Sequence, residues 1–140
     1  MSVLVGVTDD LETCLELRRA VFIDEQGVSE ADERDGRDAD AVHLLARRDG
    51  IAVGCARILV GGGTGKIGRV CVLPSERGTG LGRALILGCL DVLAARGDVT
   101  RAKLGAQIHA LGFYERLGFV PEGEEYDDAG ILHRDMVRAV

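Results

Sequence analysis

The sequence predicts an α/β fold: one mixed, mostly antiparallel sheet of six or seven strands, flanked by helices. Three observations predict it. Short β-branched and apolar runs recur along the chain, separated by glycine-rich turns of hairpin type. One full amphipathic helix separates the run that ends at Leu73 from the run that begins at Val99, which makes those two strands, the fourth and fifth, parallel neighbours joined by a right-handed crossover. The 140 residues suffice for one good core and are too few for two.

Taken in order, residues 2–7 read as a first strand. Asp9 with Glu12 three residues on forms a capping box, and Leu11, Cys14, Leu15 and Phe22 then recur at helical spacing, predicting an amphipathic helix of about 13 residues that ends near Ile23. Residues 24–40 hold eight acids against two arginines, a net −6 equal to the charge of the whole chain. This segment is either a solvated loop or the wall of a site that draws in a cationic amine, and its length favours a functional role. Residues 41–47 and 51–60 read as a hairpin about the turn at 48–50. A looser, glycine-rich turn at 61–65 leads into the strand 66–73. The helix 83–96 presents Leu85, Ile86, Cys89, Leu90, Val92 and Leu93 on a broad apolar face, with Gly97 as its C-cap. A strand follows at 99–106, then a short helix at 108–117 stopped by Gly118, a strand from Phe119 that Pro121 interrupts, and a last strand at 131–137. The tally is seven strands and three helices.

Hydrophobic residues make up 46% of the chain and charged residues 29%, which describes an ordinary globular protein. No apolar run approaches the ~20 residues that span a bilayer, so no membrane is expected. Met1-Ser2-Val3-Leu4-Val5 has neither a basic region nor a cleavage site, and the cytoplasm is the expected compartment. Cys14, Cys55, Cys71 and Cys89 are scattered singly, without a C-x-x-C pair or a histidine at ligand spacing, and read as buried free thiols; no metal is expected. The excess of acid and the dispersed basic residues argue against a nucleic-acid partner.

Chemistry concentrates at Val70-Cys71-Val72-Leu73-Pro74-Ser75-Glu76-Arg77-Gly78-Thr79-Gly80-Leu81-Gly82-Arg83. A strand passes through a glycine-rich turn directly into a helix. The first N–H groups of a helix are unpaired and lie at the positive end of its dipole, so the place suits an anion. Glycines at 78, 80 and 82 remove the Cβ atoms that would hold a phosphate away. The dinucleotide fingerprint G-x-G-x-x-G fails, because Arg83 stands where its last glycine belongs. The Walker loop fails at Val60 and Ile67. Serines occur only at 2, 29 and 75, none in G-x-S-x-G, which disfavours a hydrolase triad.

What the segment matches is Arg-x-x-Gly-x-Gly, as Arg77, Gly80 and Gly82, and this resembles the coenzyme A loop of the GNAT superfamily of N-acetyltransferases. Phe113-Tyr114-Glu115-Arg116-Leu117-Gly118-Phe119 resembles the F-Y-x-x-x-G-F signature after the fifth strand of the same superfamily. The stretches 21–28, Ile67-Gly68-Arg69-Val70, Leu104-Gly105-Ala106-Gln107 and Ala129-Gly130-Ile131-Leu132-His133 are similar to its ElaA-like, or YjcF-like, branch. The resemblance covers residues 1–140 as a single N-acetyltransferase domain. It implies a direct transfer of an acetyl group from acetyl-CoA, as cosubstrate, to a small-molecule or peptide amine. The coenzyme would lie between splayed fourth and fifth strands, its pantetheine amides pairing with the backbone of Val70, Cys71 and Val72 and its diphosphate on Arg77, Gly78, Thr79, Gly80, Leu81, Gly82 and Arg83. The resemblance makes Tyr114 the general acid for the leaving thiolate; its other reading is an aromatic packed on the last helix. A modest lowering of its pKa would help that role. Glu25, Arg69, Gln107, Glu124 and His133 lie in segments the fold would bring to the acceptor cleft, and the base is open among Glu25, Glu124, His133 and ordered water. Glu76, beside Arg77, departs from the pattern and would weaken coenzyme binding slightly. The alternative is a coenzyme A-binding sensor or partner module that has lost transfer. Exposed strand edges near the C-terminus leave room for a homodimer.

Overall fold

Three two-residue turns organise the sheet. Asp49-Gly50, Gly62-Gly63 and Ala129-Gly130 all adopt positive φ at both positions, the backbone whose twist matches that of the strands it joins. In the computed structural model, which describes residues 2–140, these turns connect β2 (Val42–Arg48) to β3 (Ile51–Gly61), β3 to β4 (Thr64–Val72), and β6 (Val120–Asp128) to β7 (Ile131–Ala139). The second turn is thus as tight as the first, and β4 starts at Thr64 rather than at Lys66. With β1 (Val3–Thr8) and β5 (Arg101–Gln107) the sheet has seven strands in the order β1-β2-β3-β4-β5-β7-β6. Every neighbouring pair is antiparallel except β4 and β5. Pro121 sits in β6, an edge strand, where a missing N–H is tolerated.

The crossover from β4 to β5 is α3 (Leu81–Ala95), which buries Leu81, Leu85, Ile86, Cys89, Leu90 and Leu93 on one face of the sheet. Each such leucine, taken out of water, stabilises the fold by roughly 1.5 to 3 kcal/mol. The opposite face is covered by α1 (Leu11–Arg18), whose Cys14 and Leu17 pack with Leu45, Cys55 and Cys71. Leu44 and Ala46 of β2 face α3 while Leu45 faces α1, so the central strands are apolar on both sides. All four cysteines are free and buried.

Several boundaries differ from the sequence reading for local reasons. The N-cap of α1 is Asp10, whose carboxylate accepts from the Thr13 N–H at 3.2 Å and from its hydroxyl at 2.6 Å. The α-helix stops at Arg18 and continues as a wider π-type winding over Arg19–Glu25, carrying the element past Ile23. The acidic segment is not one loop: Ser29 caps α2 (Glu30–Glu33) by accepting from the Asp32 N–H at 3.1 Å. At the end of α3, Arg96 takes extended backbone, and its guanidinium pairs with Asp98 at 3.0 Å; Gly97 is not the left-handed cap its position suggests. The expected helix at 108–117 divides into a 3-10 turn, Ile108–Ala110, and α4 (Leu111–Glu115). Gly118 does end it, at φ 90°, and the Phe119 N–H returns to the Tyr114 carbonyl at 3.1 Å.

Candidate active site

β4 and β5 pair only from Thr64 with Arg101 to Ile67 with Leu104, although β4 runs on to Val72 and β5 to Gln107. The cause lies on the other side of β4. Between the pairs Cys55 with Cys71 and Arg57 with Gly68, β3 supplies one residue and β4 two, Arg69 and Val70. The extra residue is a bulge, which bends its strand. Arg69 occupies left-handed backbone at φ 50°, a conformation that costs a non-glycine residue about 1 to 2 kcal/mol. The bulge begins where pairing with β5 ends, and it turns β4 away from its parallel neighbour.

The opening is a cleft of about 700 Å³. Val70, Cys71, Val72 and Arg77 line it on the β4 side, and Gln107 and Tyr114 on the β5 side. Glu25, Arg69 and His133 line it as well. Glu124 is the one acceptor-site candidate that stays outside: it is exposed on β6, where the register with β7 breaks between Glu122 and Tyr126.

Beyond Arg77 the glycine turn enters α3. Gly80 is its N-cap at φ 86°, and no side chain caps the helix, which leaves the N–H groups of Leu81, Gly82 and Arg83 without intrahelical partners. Nothing lies within 4 Å of the place a Cβ would take on Gly78 or Gly80, so the turn is open to an incoming anion. The turn is anchored from below. Thr79 donates its hydroxyl to the Glu76 carbonyl at 2.6 Å, and the Glu76 carboxylate is buried against the Arg48 guanidinium. Glu76 therefore has its charge neutralised by β2, and the reading of it as a repulsive neighbour of the diphosphate is corrected: it holds the turn in place.

Arg77 donates to both carboxylate oxygens of Glu25 at 2.6 and 2.7 Å, and to the Val72 carbonyl at 3.2 Å. Two walls of the cleft, the end of β4 and the end of the π-type winding, meet at this pair. The Arg77 guanidinium holds the Glu25 carboxyl below its usual range.

Tyr114 rests edge-on against Phe113 and Phe119, with ring centroids 5.0 and 6.0 Å away. Burial pushes its phenol up to about 12, with the nearby Cys89 adding to the shift. That is opposite to the lowering that proton donation would favour.

The acidic segment is pinned by arginines from three elements. Arg18 of α1, 1% exposed, holds Glu33 at 2.9 Å and Asp38 at 2.7 Å. Arg57 of β3 holds Asp35 at 2.8 Å and Asp38 at 3.1 Å. Arg69 reaches Glu33 at 2.9 Å from the bulge. Glu30 pairs with Arg19 at 2.8 Å. With Glu25 on Arg77, five of the eight acids are ion-paired, so the free negative field that composition suggests is largely cancelled. The sequence reading missed this network and missed Arg57, whose Nε is buried without a partner and which also lines the cleft. Its signal was present: one arginine inside the otherwise apolar run 51–60. Tyr126, stacked on His133 with ring centroids 5.9 Å apart, was missed too.

Comparison with known proteins agrees with this geometry. The acetyltransferase (GNAT) domain family matches residues 10–140. The uncharacterized N-acetyltransferase YjcF of Bacillus subtilis is 33% identical over 138 residues, 98% of each chain. The crystal structure of an acyl-CoA N-acyltransferase from Pseudomonas aeruginosa superposes with a TM-score of 0.87 at 33% identity, covering 99% of this chain and all of that one. Escherichia coli ElaA superposes at 0.86 with 31% identity, over 98% of this chain and 99% of its own. The chain belongs to the GNAT family of acetyltransferases, on the branch that includes YjcF and ElaA.

Proposed function

We propose that the protein transfers an acetyl group from acetyl-CoA to an amine, by direct attack of the amine on the thioester. The observation that carries this is the divergence of β4 from β5 beside an uncapped helix N-terminus. The free edge of β4 from Gly68 to Val72 offers backbone N–H and C=O groups to the amides of pantetheine, in the manner of an added strand. The turn from Gly78 to Arg83 offers unpaired N–H groups to the diphosphate. The thioester then lies in the cleft that Tyr114 lines, with Arg69, Gln107 and His133 toward the acceptor.

Tyr114 donates to the coenzyme sulfur as the C–S bond breaks. A phenol of ordinary pKa ~10 is already protonated through the neutral range, and burial pushes this one further up, so each turnover begins with the proton in place. Four buried free thiols fit a reducing compartment, and we place the protein in the cytoplasm. The test is incubation with acetyl-CoA and a panel of amines, reading free thiol. Release that depends on an amine is the expected result. Coenzyme binding with no release for any amine would replace the transferase by a coenzyme A-binding sensor.

A further inference from the structure

We infer that His133 is the general base, taking a proton from an alkylammonium acceptor through its Nε2. This rests on the transferase reading above. The cleft contains few groups free to do so. Glu25 is chelated by Arg77, which makes its carboxylate a weaker base. His109 donates its Nε2–H to the Gln107 side-chain oxygen at 2.8 Å and so also keeps an open nitrogen, but it is exposed and, among the described residues, no aromatic ring stacks on it to hold its orientation. Tyr126 donates its hydroxyl to Asp135 at 2.6 Å, and Glu33 and Asp35 are held by Arg69 and Arg57.

His133 is different. Its Nδ1 lies 2.7 Å from the Ile131 carbonyl oxygen. A carbonyl only accepts, so Nδ1 carries the proton and Nε2 of the neutral ring keeps its lone pair. Among the described residues Nε2 has no hydrogen-bond partner. The ring is held flat on Tyr126, at 20° between planes, and it is flanked in register by Gln107 of β5 and Tyr126 of β6. A base needs a fixed tautomer, a fixed ring and an open nitrogen at the cleft, and these residues provide all three. Asp128, at the end of β6, lines the same wall and supplies a negative charge for the incoming ammonium.

The protons balance. The ammonium brings three: one leaves through His133 to solvent, one stays on the amide, and one replaces the proton that Tyr114 lends to the coenzyme sulfur. The C–N bond forms as the C–S bond breaks, and coenzyme A leaves as the thiol. An alkylamine, mostly protonated at neutral pH, needs this base. An amine that is already neutral at pH 7 does not.

The experiment compares wild type with His133→Asn, whose amide can still donate to the Ile131 carbonyl, using ethylamine and trifluoroethylamine as acceptors and thiol release as readout. The kcat/KM for ethylamine should fall about a hundredfold, in the range general base catalysis supplies, and that for trifluoroethylamine by roughly threefold or less. Coenzyme affinity and melting temperature should match wild type, and His133→Gln serves if the first variant does not fold. Equal losses on both amines, or a loss on neither, would overturn the assignment while leaving the transferase intact. No amine-dependent release by wild type would overturn the transferase reading and this one with it.

Discussion

Tyr114 and Gly80 carry the sharpest tests at the scale of single residues. A phenol pushed up to about 12 cannot hand its proton downhill to a thiolate whose ordinary pKa is ~8.5. In the proposed transfer it acts instead by hydrogen bonding to the sulfur as charge develops, with transfer completed as the attacking nitrogen returns a proton. Tyr114→Phe should therefore lower kcat on the order of tenfold or more and leave coenzyme affinity nearly unchanged; steady-state kinetics with calorimetry separate the two. Gly80 stands at φ 86° with open space where a side chain would go. Gly80→Glu puts strained backbone and a negative charge at the mouth of the turn, and should lower coenzyme A affinity at least a hundredfold by calorimetry while the fold is retained. The sequence nominates both as candidates, Gly80 from the glycine-rich turn into a helix and Tyr114 from its resemblance to the family signature, because in each case the residues that carry the argument lie a few positions apart. Glu76 was not: its partner Arg48 lies 28 positions back, and only the folded sheet brings them together.

At the scale of elements, the segment from Ser29 to Asp40 shows why composition misleads. Its acids look like a solvated run, yet their partners come from α1, the π-type winding that continues it, β3 and β4, up to 36 positions away. The Ser29 cap of α2 was readable, since an acid follows three residues on; the pairing was not. Asp35 carries much of the pH dependence of this element, beside Asp38, whose carboxyl is also lowered, against burial, by Arg18 and Arg57. Hydrogen bonds from Arg57 hold the Asp35 carboxyl well below the ordinary range, against a smaller opposing effect of burial. A folded pKa below the unfolded value of ~3.9 adds stability above that pH, and the gain is lost as pH falls below it. Asp35→Asn should thus cost about 1 to 2 kcal/mol at pH 7, or roughly 3 to 8 °C in melting temperature, and the gap to wild type should narrow at pH 3. A gap that is unchanged at pH 3 would show that Arg57 does not rely on the charge of Asp35.

At the scale of the whole molecule, part of the sheet order follows from rules the sequence exposes: hairpins set β2, β3 and β4 side by side and β6 beside β7, and the α3 crossover sets β5 parallel to β4. The antiparallel pairs of β1 with β2, across α1 and α2, and of β5 with β7 do not follow from them. The divergence of β4 and β5 does not follow, because a bulge at Arg69 leaves no mark in hydrophobic alternation that a straight strand would lack. That divergence predicts how ligands act on global stability. A ligand that bridges β4 and α3 binds only the folded chain, so it raises the unfolding free energy by RT ln(1 + [L]/Kd), about 2.7 kcal/mol at a hundredfold excess over Kd. For a domain of this size that is roughly 8 to 10 °C in melting temperature. Coenzyme A at such a concentration should produce this shift by scanning calorimetry. ATP and NAD at equal concentration should produce much less, since they offer the turn a phosphate but lack the extended pantetheine arm whose successive amides could pair along the open edge of β4. If either nucleotide protected better than coenzyme A, the cleft between β4 and β5 would not be the main site of binding, and the turn at Gly78–Arg83 would belong to a nucleotide pocket instead.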